Sequence, residues 1–229
     1  MNYLISYPRS GNTWLRYCVE YISEMPTIGY LSADASCFDR ESIGKFAGIN
    51  TQETDPILIK RHGFEPSFAV EHDKIIVLVR DYQEVIIRHT RQAGFNAFQS
   101  SLQGKENSID YYSIIQQYDK WSGEKLLIYY EDLMMDLEFV LKRVSDFLLE
   151  KDHSPRINDI VGNLDFHKAA SIRVYNIHSR SETGGNKLKY HSSRISRDEQ
   201  IKRQNFIKNK GLDIYDKYLK KYEKNTYLQ

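Results

Sequence analysis

The sequence is poor in cysteine, with only Cys18 and Cys37 among its 229 residues. Two cysteines cannot form a disulfide framework, and these two lack metal-ligand spacing, so we expect no bound metal. The chain also lacks an uninterrupted apolar run of about 20 residues, the length that a membrane-spanning helix needs. Met1 leads directly into a short apolar segment, without the basic start and long apolar stretch of a signal peptide. These absences predict a soluble, cytoplasmic protein.

The sequence has little excess charge of either sign, since 32 basic and 31 acidic side chains leave a formal net charge of +1. This balance gives no support for a surface that binds nucleic acid along its whole length. The hydrophobic fraction of 41% and the charged fraction of 28% are typical of globular proteins. The length suits one domain, and we expect residues 1–229 to form a single one.

The charge is unevenly distributed along this predicted domain. The segment Lys187–Lys224 carries 12 basic and five acidic residues, whereas the residues before it are acidic overall. We therefore expect a basic, helical C-terminal segment from about residue 187 onward. It forms either a solvated helical face or one wall of an anion-binding cleft, and the sequence leaves both interpretations open.

Short apolar segments alternate with amphipathic ones in the first two thirds of the chain. Continuous apolar runs, typical of strands buried on both faces of a parallel sheet, are Asn2–Tyr7, Ile57–Arg61, Lys74–Arg80 and Lys125–Tyr130. Segments with helical apolar spacing are Asn12–Ser23, Tyr82–Gln92, Ser108–Trp121 and Leu137–Leu149. The alternation predicts an α/β fold with a central, mostly parallel sheet flanked by helices.

The remaining segments are helical or unpatterned. Further helices are predicted at Arg156–Gly162, Asp165–Ala170, Arg197–Asn209 and Asp213–Tyr222. The segment Ile177–Ser196 is rich in glycine, serine and histidine, and we expect a loop there. Gly29–Asp55 has the weakest pattern in the first half of the chain, which indicates a long loop that could cover a substrate.

The turn Tyr7–Trp14 joins the first predicted strand to the first predicted helix. Such a turn is a common site for anions, because backbone N–H groups and the helix dipole point towards it. Gly11 lets the backbone approach a phosphate closely, and Arg9 supplies a permanent cation. Additional side-chain donors are Ser10, Asn12 and Thr13. The alternative is an ordinary junction in which Ser10 or Asn12 only caps the helix.

This turn lacks the first glycine and the lysine next to serine or threonine that define the phosphate loop of nucleoside-triphosphate hydrolases. Its sequence Tyr-Pro-Arg-Ser-Gly-Asn-Thr-Trp instead resembles the 5′-phosphosulfate loop of the PAPS-dependent sulfotransferases, commonly Tyr-Pro-Lys-Ser-Gly-Thr-Thr-Trp. PAPS is 3′-phosphoadenosine 5′-phosphosulfate, and six of the eight residues match. The resemblance implies a P-loop-like strand–loop–helix site in which residues 9–13 bind the phosphosulfate and Trp14 lies near the adenine.

Other segments resemble the same family in the expected order. Ile57–His62 is similar to the family's strand that ends in Lys-Thr-His, which implies that His62 is the catalytic base. Ile75–Asp81 is similar to the strand whose terminal arginine binds the 3′-phosphate of PAPS, which implies this role for Arg80.

Three more segments extend the resemblance to about residue 195. Leu127–Leu133 contains Tyr-Glu-Asp-Leu, which implies that Tyr130 contributes to the adenine site. Leu164–Lys168 is weakly similar to the family's Ser-Phe-Glu-Lys-Met helix. Arg180 and Gly185 are similar to the Arg-Lys-Gly-x-x-Gly-Asp-Trp segment, the second clamp on the 3′-phosphate.

The chain departs from the family pattern at two places. Arg88 stands eight residues after Arg80, where the family usually has serine, and a guanidinium there either binds the phosphate bidentately or points into solvent. The second clamp survives only in part around Arg180, and Lys187 or Lys189 are candidates to complete it.

Transfer of a sulfuryl group to a hydroxyl requires a base, stabilisation of the leaving oxygen and in-line positioning. We assign these roles to His62 as the base, Arg9 at the bridging oxygen and Lys60 at the sulfuryl oxygens, with no metal. Each assignment has a structural alternative. His62 could be a satisfied histidine at a strand end, Trp14 and Tyr130 could be core residues, and Arg80 could form an exposed ion pair with Asp81 or Glu84.

The sequence therefore predicts a sulfotransferase that moves the sulfuryl group of PAPS to a hydroxyl acceptor and releases 3′-phosphoadenosine 5′-phosphate (PAP). The acceptor is a small alcohol, a phenol or a glycan, and no motif selects among them or predicts an oligomer. Two alternatives remain at this point. One is a catalytically inactive module that binds PAPS or PAP, and the other is a P-loop-like kinase.

Overall fold

The computed structural model of the chain describes residues 1–28, 55–64, 67–91, 94–103, 110–179 and 195–223. Within these ranges one parallel sheet is formed by β1 (Asn2–Ser6), β2 (Thr27–Ile28), β3 (Leu58–Arg61), β4 (Lys74–Val79) and β5 (Lys125–Tyr129). The strand order across the sheet is β2-β3-β1-β4-β5. The predicted fold class is confirmed, and each of the four predicted strands agrees to within one residue at either end. The short β2 was not predicted, because two residues carry no readable pattern.

Helices cover both faces of this sheet. They are α1 (Asn12–Ser23), α2 (Tyr82–Thr90), α3 (Phe95–Gln103), α4 (Tyr111–Lys120), α5 (Tyr130–Met135), α6 (Leu137–Leu148), α7 (Ser154–Gly162), α8 (Leu164–Ser179), α9 (Arg197–Lys210) and α10 (Leu212–Ile214), with a π-helical turn at Tyr215–Leu219. The prediction for α1 is confirmed at both ends, whereas α3 and α5 were not predicted. Helix α5 follows β5 without a linker, so no turn residues mark its start.

The prediction of a loop at Ile177–Ser196 is wrong for its first residues, which belong to helix α8. The predicted loop Ile177–Ser196 begins inside this helix, which continues to Ser179. The Ile-His-Ser sequence at its end contains no helix breaker, and the glycines that suggested a loop begin only at residue 184. The rest of that segment up to residue 194, including Arg180, Gly185, Lys187 and Lys189, lies outside the described residues, as does nearly all of Gly29–Asp55.

The sheet is buried on both faces, as its continuous apolar strands predict. Along β4, Ile75, Val77 and Val79 face a core formed with α2, α3, α4 and the C-terminal residues. Ile76 and Leu78 face the opposite core, which α1, α6, α7 and α8 complete. Alternate residues of β4 thus pack into opposite cores. Because both faces of the strand are buried, a shift in register would move apolar side chains out of their cores, so the register and the position of the strand ends are fixed.

The basic C-terminal segment packs most of its described lysines over aromatic rings. The Nζ of Lys202 lies 4.1 Å from the ring centre of Phe95, and the Nζ of Lys221 lies 4.7 Å from that of Tyr129. Both lysines remain exposed to solvent, so these contacts favour the predicted solvated helical face over a cleft wall.

The described ranges contain no helix that is long and apolar enough to cross a bilayer. The same residues contain no group of three or more histidine, cysteine, aspartate or glutamate side chains that could hold a metal ion.

Candidate functional site

The candidate site lies at the carboxyl edge of the sheet, where β1 has β3 on one side and β4 on the other. Connections leave the sheet in opposite directions at such a switch point and open a crevice, which is where open α/β sheets bind ligands. Residues from three strand ends meet here. They are the turn after β1, His62 after β3 and Arg80 after β4.

The turn after β1 has an unusual backbone conformation. Arg9 has a φ of 73° and Gly11 a φ of 98°, and both values are positive. The N–H of Ser10 donates to the carbonyl of Tyr7 at 3.3 Å, which closes the turn. Helix α1 then begins at Asn12, with Gly11 at the N-cap, no side chain capping it and no acidic residue in its first turn. The prediction that Ser10 or Asn12 only caps the helix is therefore wrong.

Three polar atoms of the turn region are buried without a hydrogen-bond partner among the residues that the structure describes. They are Ser10 Oγ, Asn12 Oδ1 and Trp14 Nε1. Asn12 uses its other amide atom, Nδ2, to donate to Ser6 Oγ at 3.0 Å. A buried polar group without a partner is costly, so the Ser10 hydroxyl indicates a missing ligand atom. Together with the dipole of α1, it suits a phosphate oxygen.

Side chains from both neighbouring strands hold the end of β1 and the turn after it. His62 Nδ1 lies 2.7 Å from the carbonyl oxygen of Ser6, and Arg80 Nη1 donates to the carbonyl oxygen of Arg9 at 3.2 Å. Because a carbonyl oxygen can only accept, Nδ1 of His62 carries the ring proton. The other ring nitrogen, Nε2, then holds a lone pair in the neutral imidazole and is able to accept a proton.

The surroundings of His62 keep it neutral. Burial of the ring, and next the positive charge of Lys60, lower the pKa of His62 to about 4, although the Ser6 carbonyl opposes this shift. A histidine with this pKa is unprotonated throughout the physiological pH range, which is the state that a general base requires.

We expect a titration of the His62 ring by NMR to give a pKa near 4 rather than the ordinary 6.5. The unfolded chain then takes up this proton below about pH 6.5, before the folded chain does. The contribution of His62 to stability is therefore complete above pH 6.5 and is lost as the pH falls through about 4. The Lys60→Met variant should titrate at higher pH, because one repulsive charge is removed. A wild-type pKa near 6.5 would contradict the buried, neutral imidazole.

The ring of Tyr130 contacts both the turn and Arg80. The Arg80 guanidinium carbon is 4.1 Å from the ring centre, and a Cβ on Gly11 would lie 2.3 Å from Tyr130 Cδ2. The backbone of Gly11 therefore packs directly on the aromatic ring. This contact explains the need for glycine, and it gives Tyr130 a packing role beside the adenine role that was predicted.

Trp14 stacks on Tyr17, with ring centres 5.8 Å apart and an angle of 11° between the rings. The Tyr17 hydroxyl in turn lies 2.8 Å from Nδ1 of the buried His167. Trp14 is thus supported from the helix side, while its indole N–H, buried without a partner in the described ranges, is next to the candidate site.

Arg80 and Arg88 lie on the same face of the β4–α2 junction. Arg80 is 5% exposed, and its Nη2 is 3.9 Å from Oε1 of the fully buried Glu84. Arg88 Nε donates to the same carboxylate oxygen. The predicted alternative of an ion pair between Arg80 and Glu84 is therefore present, but it is buried rather than exposed. Burial, and next the charges of Arg91 and Arg88, lower the pKa of Arg9.

The structure thus brings together most of the predicted site residues. Those at one edge of the sheet are Arg9, Ser10, Gly11, Asn12, Thr13, Trp14, His62, Arg80 and Tyr130, whereas Lys60 lies inside β3 next to its last residue and Arg88 lies in the last turn of α2. Sequence reasoning missed two contributors, the Ser6 carbonyl that orients His62 and the link from Glu84 to Arg88. The second had a readable signal, because residues 80, 84 and 88 are spaced four apart.

Comparison with known proteins places the chain among sulfotransferases. The family profile described as "Sulfotransferase domain" matches residues 3–226. Curated relatives include WSCD family member AAEL009094 of Aedes aegypti, 26% identical, and WSCD family member CG9164 of Drosophila melanogaster, 28% identical, each over 160 residues. These alignments cover 63% of this chain and 49% of each relative. The chain therefore spans about half the length of the curated relatives it matches.

Two solved structures share the fold. One is retinol dehydratase in complex with androsterone and the inactive cofactor PAP, with a TM-score of 0.65, 16% identity, and coverage of 94% of this chain and 80% of that chain. The other is mouse sulfotransferase SULT7A1 complexed with PAP, with a TM-score of 0.60, 16% identity, and coverage of 96% and 88%.

Proposed function

Because this chain belongs to the sulfotransferase domain family, we propose that it transfers the sulfuryl group of PAPS to a hydroxyl acceptor and releases PAP. The observation that carries the proposal is the junction between β1 and its turn, where His62 contacts the Ser6 carbonyl and Arg80 contacts the Arg9 carbonyl. The base and the phosphate ligand that the resemblance implies therefore act on the same turn. The PAP in structures of the same fold supports the choice of nucleotide.

The proposed reaction is carried out by residues at two strand ends, those of β1 and β3. His62 Nε2 accepts the proton of the acceptor hydroxyl, and the oxygen so exposed forms a new bond to sulfur. The bond between sulfur and the bridging oxygen breaks, and Arg9 stabilises the negative charge that PAP carries away. Lys60 stabilises the sulfuryl oxygens, and a preorganised donor of this kind is worth roughly 2.7–4 kcal/mol in the transition state.

The nucleotide is held by groups on either side of the turn. The buried Ser10 hydroxyl and the first N–H groups of α1 suit the 5′-phosphosulfate, and Arg80 suits the 3′-phosphate. Trp14 and Tyr130 are proposed to flank the adenine. The acceptor is proposed to be a small alcohol, a phenol or a glycan. The geometry of His62 favours an enzyme over an inactive binding module, because binding alone does not need a neutral imidazole with a directed lone pair.

PAP is expected to stabilise the protein against heat much more than AMP or ATP does. At about 100 times its Kd, a ligand adds roughly 2.7 kcal/mol, which corresponds to a Tm increase of about 5–10 °C for a domain of this size. AMP lacks the 3′-phosphate and should give a much smaller shift. Differential scanning fluorimetry with the three nucleotides at equal concentration tests this. Equal shifts would contradict a 3′-phosphate site at Arg80.

A further inference from the structure

Two adjacent residues of the C-terminal segment, Tyr222 and Glu223, are each bound to a different helix. Glu223 Oε1 accepts a hydrogen bond from the hydroxyl of Tyr82, the first residue of α2. The Tyr222 hydroxyl donates to Asp132 Oδ1 in α5. Because α2 follows β4 and α5 follows the neighbouring strand β5, the pair connects two adjacent parts of the fold. We call Tyr222 and Glu223 the C-terminal clasp.

The carboxylate of Glu223 has three donors. Besides the Tyr82 hydroxyl at Oε1, its Oε2 accepts hydrogen bonds from the Tyr215 hydroxyl and from Gln204 Nε2, the latter at 2.7 Å. Tyr82 and Tyr215 are each only 1% exposed. Hydrogen bonds to a carboxylate are strong, and a buried hydroxyl that loses its acceptor is costly. The attachment of Glu223 to α2 is therefore firm.

The start of α5 is held by the neighbouring residues of the same segment. Lys221 Nζ lies 3.0 Å from Asp132 Oδ2 and 4.7 Å from the ring centre of Tyr129, the residue directly before α5. The Tyr129 and Tyr222 rings pack edge to face, with centres 5.3 Å apart. Since Lys221 is half exposed, its ion pair adds little, and the Tyr222 hydroxyl is the firmer contact to Asp132.

Both helices that the clasp connects lead directly to the candidate site. Tyr82 is two residues from Arg80, whose Nη1 donates to the Arg9 carbonyl at 3.2 Å. Asp132 is two residues from Tyr130, whose ring centre is 4.1 Å from the guanidinium carbon of Arg80. A movement of α5 away from α2 would therefore separate the Tyr130 ring from Arg80. The clasp opposes this movement, because it is attached to both helices.

We infer that Tyr222 and Glu223 are positioning residues, which hold α2 and α5 together and thereby keep Arg80 and Tyr130 aligned for the nucleotide. The inference rests on the proposed function. It also predicts an effect in the opposite direction. Since coupling between two sites is reciprocal, a clasp that strengthens nucleotide binding must itself be stabilised by the bound nucleotide.

Calorimetric titration of PAP into Tyr82→Phe and Tyr222→Phe tests the inference, because each change removes one hydroxyl and keeps the ring. Each variant should bind PAP about 5-fold more weakly than wild type, and the double variant about 10-fold or more, within the usual range of such couplings. Wild-type affinity in the double variant would overturn the inference. Should Tyr82→Phe fail to fold, Tyr222→Phe decides the matter, because Tyr222 is only partly buried.

The matched control is Asp119→Ala. Asp119 Oδ1 accepts a hydrogen bond from the Tyr218 hydroxyl at 2.5 Å and lies 2.6 Å from Lys217 Nζ. It therefore holds the same C-terminal segment, but to α4 rather than to α2 or α5. Asp119→Ala should lower Tm and change the PAP affinity by less than about 2-fold. If it weakens PAP binding as much as Tyr82→Phe does, general loss of stability is the cause and the inference fails.

Hydrogen–deuterium exchange provides a readout that a purely structural role would not change. In wild type, saturating PAP should slow exchange in residues 215–223 about 5-fold more than in α7, which the clasp does not contact. In the double variant this difference should disappear. Equal slowing in both regions of the wild-type protein would overturn the coupling.

Failure of the inference can be separated from failure of the proposed function. A wild-type protein that binds PAP, with unchanged affinity in the two phenylalanine variants, removes the role of the clasp and leaves the function intact. A wild-type protein that does not bind PAP removes both.

Discussion

Replacement of His62 by alanine is expected to lower the rate of sulfuryl transfer by about 10²–10⁴-fold, the usual contribution of a general base. The proposed role requires a neutral imidazole with Nε2 directed to the acceptor. Burial, the Lys60 charge and the hydrogen bond from Nδ1 to the Ser6 carbonyl keep the ring neutral and leave the lone pair on Nε2. The measurement is the transfer of label from PAPS to a pool of hydroxyl compounds, with product detection by mass spectrometry.

A second substitution separates the two roles of this histidine. In His62→Asn, the amide Nδ2 is placed to donate to the Ser6 carbonyl as Nδ1 does, but no group remains that can accept a proton. We expect His62→Asn to bind PAP with nearly wild-type affinity and to be as inactive as His62→Ala. His72→Ala, at an exposed position, is the control and should have full activity. Substantial activity in His62→Asn would exclude His62 as the base.

Replacement of Gly11 by alanine is expected to destabilise the protein by roughly 2–6 kcal/mol and to abolish PAP binding. The φ of 98° is unfavourable for any residue with a side chain, at a cost of about 1–3 kcal/mol. The new Cβ would also lie 2.3 Å from Tyr130 Cδ2, and overpacking of this kind costs about 1–3 kcal/mol. The ring cannot move without disturbing the guanidinium of Arg80 above it.

The matched control for this change is Gly63→Ala, at the same edge of the sheet and directly after His62. A Cβ on Gly63 meets no atom within 4 Å, so Tm and PAP affinity should hardly change. Thermal denaturation and calorimetry measure the two effects. If Gly11→Ala retains wild-type Tm and affinity, the packing of the turn against Tyr130 does not hold in solution.

The parts of the molecule that the sequence predicts well are those where burial imposes a simple pattern. β4 was predicted as a strand from the continuous apolar run Ile75 to Val79, whose side chains pack into two cores. α1 was predicted as a helix because its apolar residues repeat at helical spacing. The residue types of the turn between β1 and α1 predicted an anion site but left helix capping open, and the resemblance to the sulfotransferase loop favoured the anion site.

The parts that the sequence did not predict depend on contacts between distant residues. The tautomer of His62 is set by the carbonyl of Ser6, a backbone group that any residue would present. Tyr130 lies against Gly11 because β5 and β1 are both neighbours of β4, which no local pattern encodes. The link between Glu84 and Arg88 was visible as a spacing, but only burial distinguishes it from an ordinary surface pair on a helix.

The central place of β1 has a consequence for how the protein folds. The turn that follows β1 is encoded by adjacent residues. The side chains that contact the Ser6 and Arg9 carbonyls, those of His62 and Arg80, nevertheless lie 56 and 71 residues further along the chain. A nascent chain that ends before β4 can form α1 but has no Arg80 to complete the turn. Closing such long loops is slow compared with helix formation. Nucleotide affinity should therefore arise late in folding, when β4 docks beside β1.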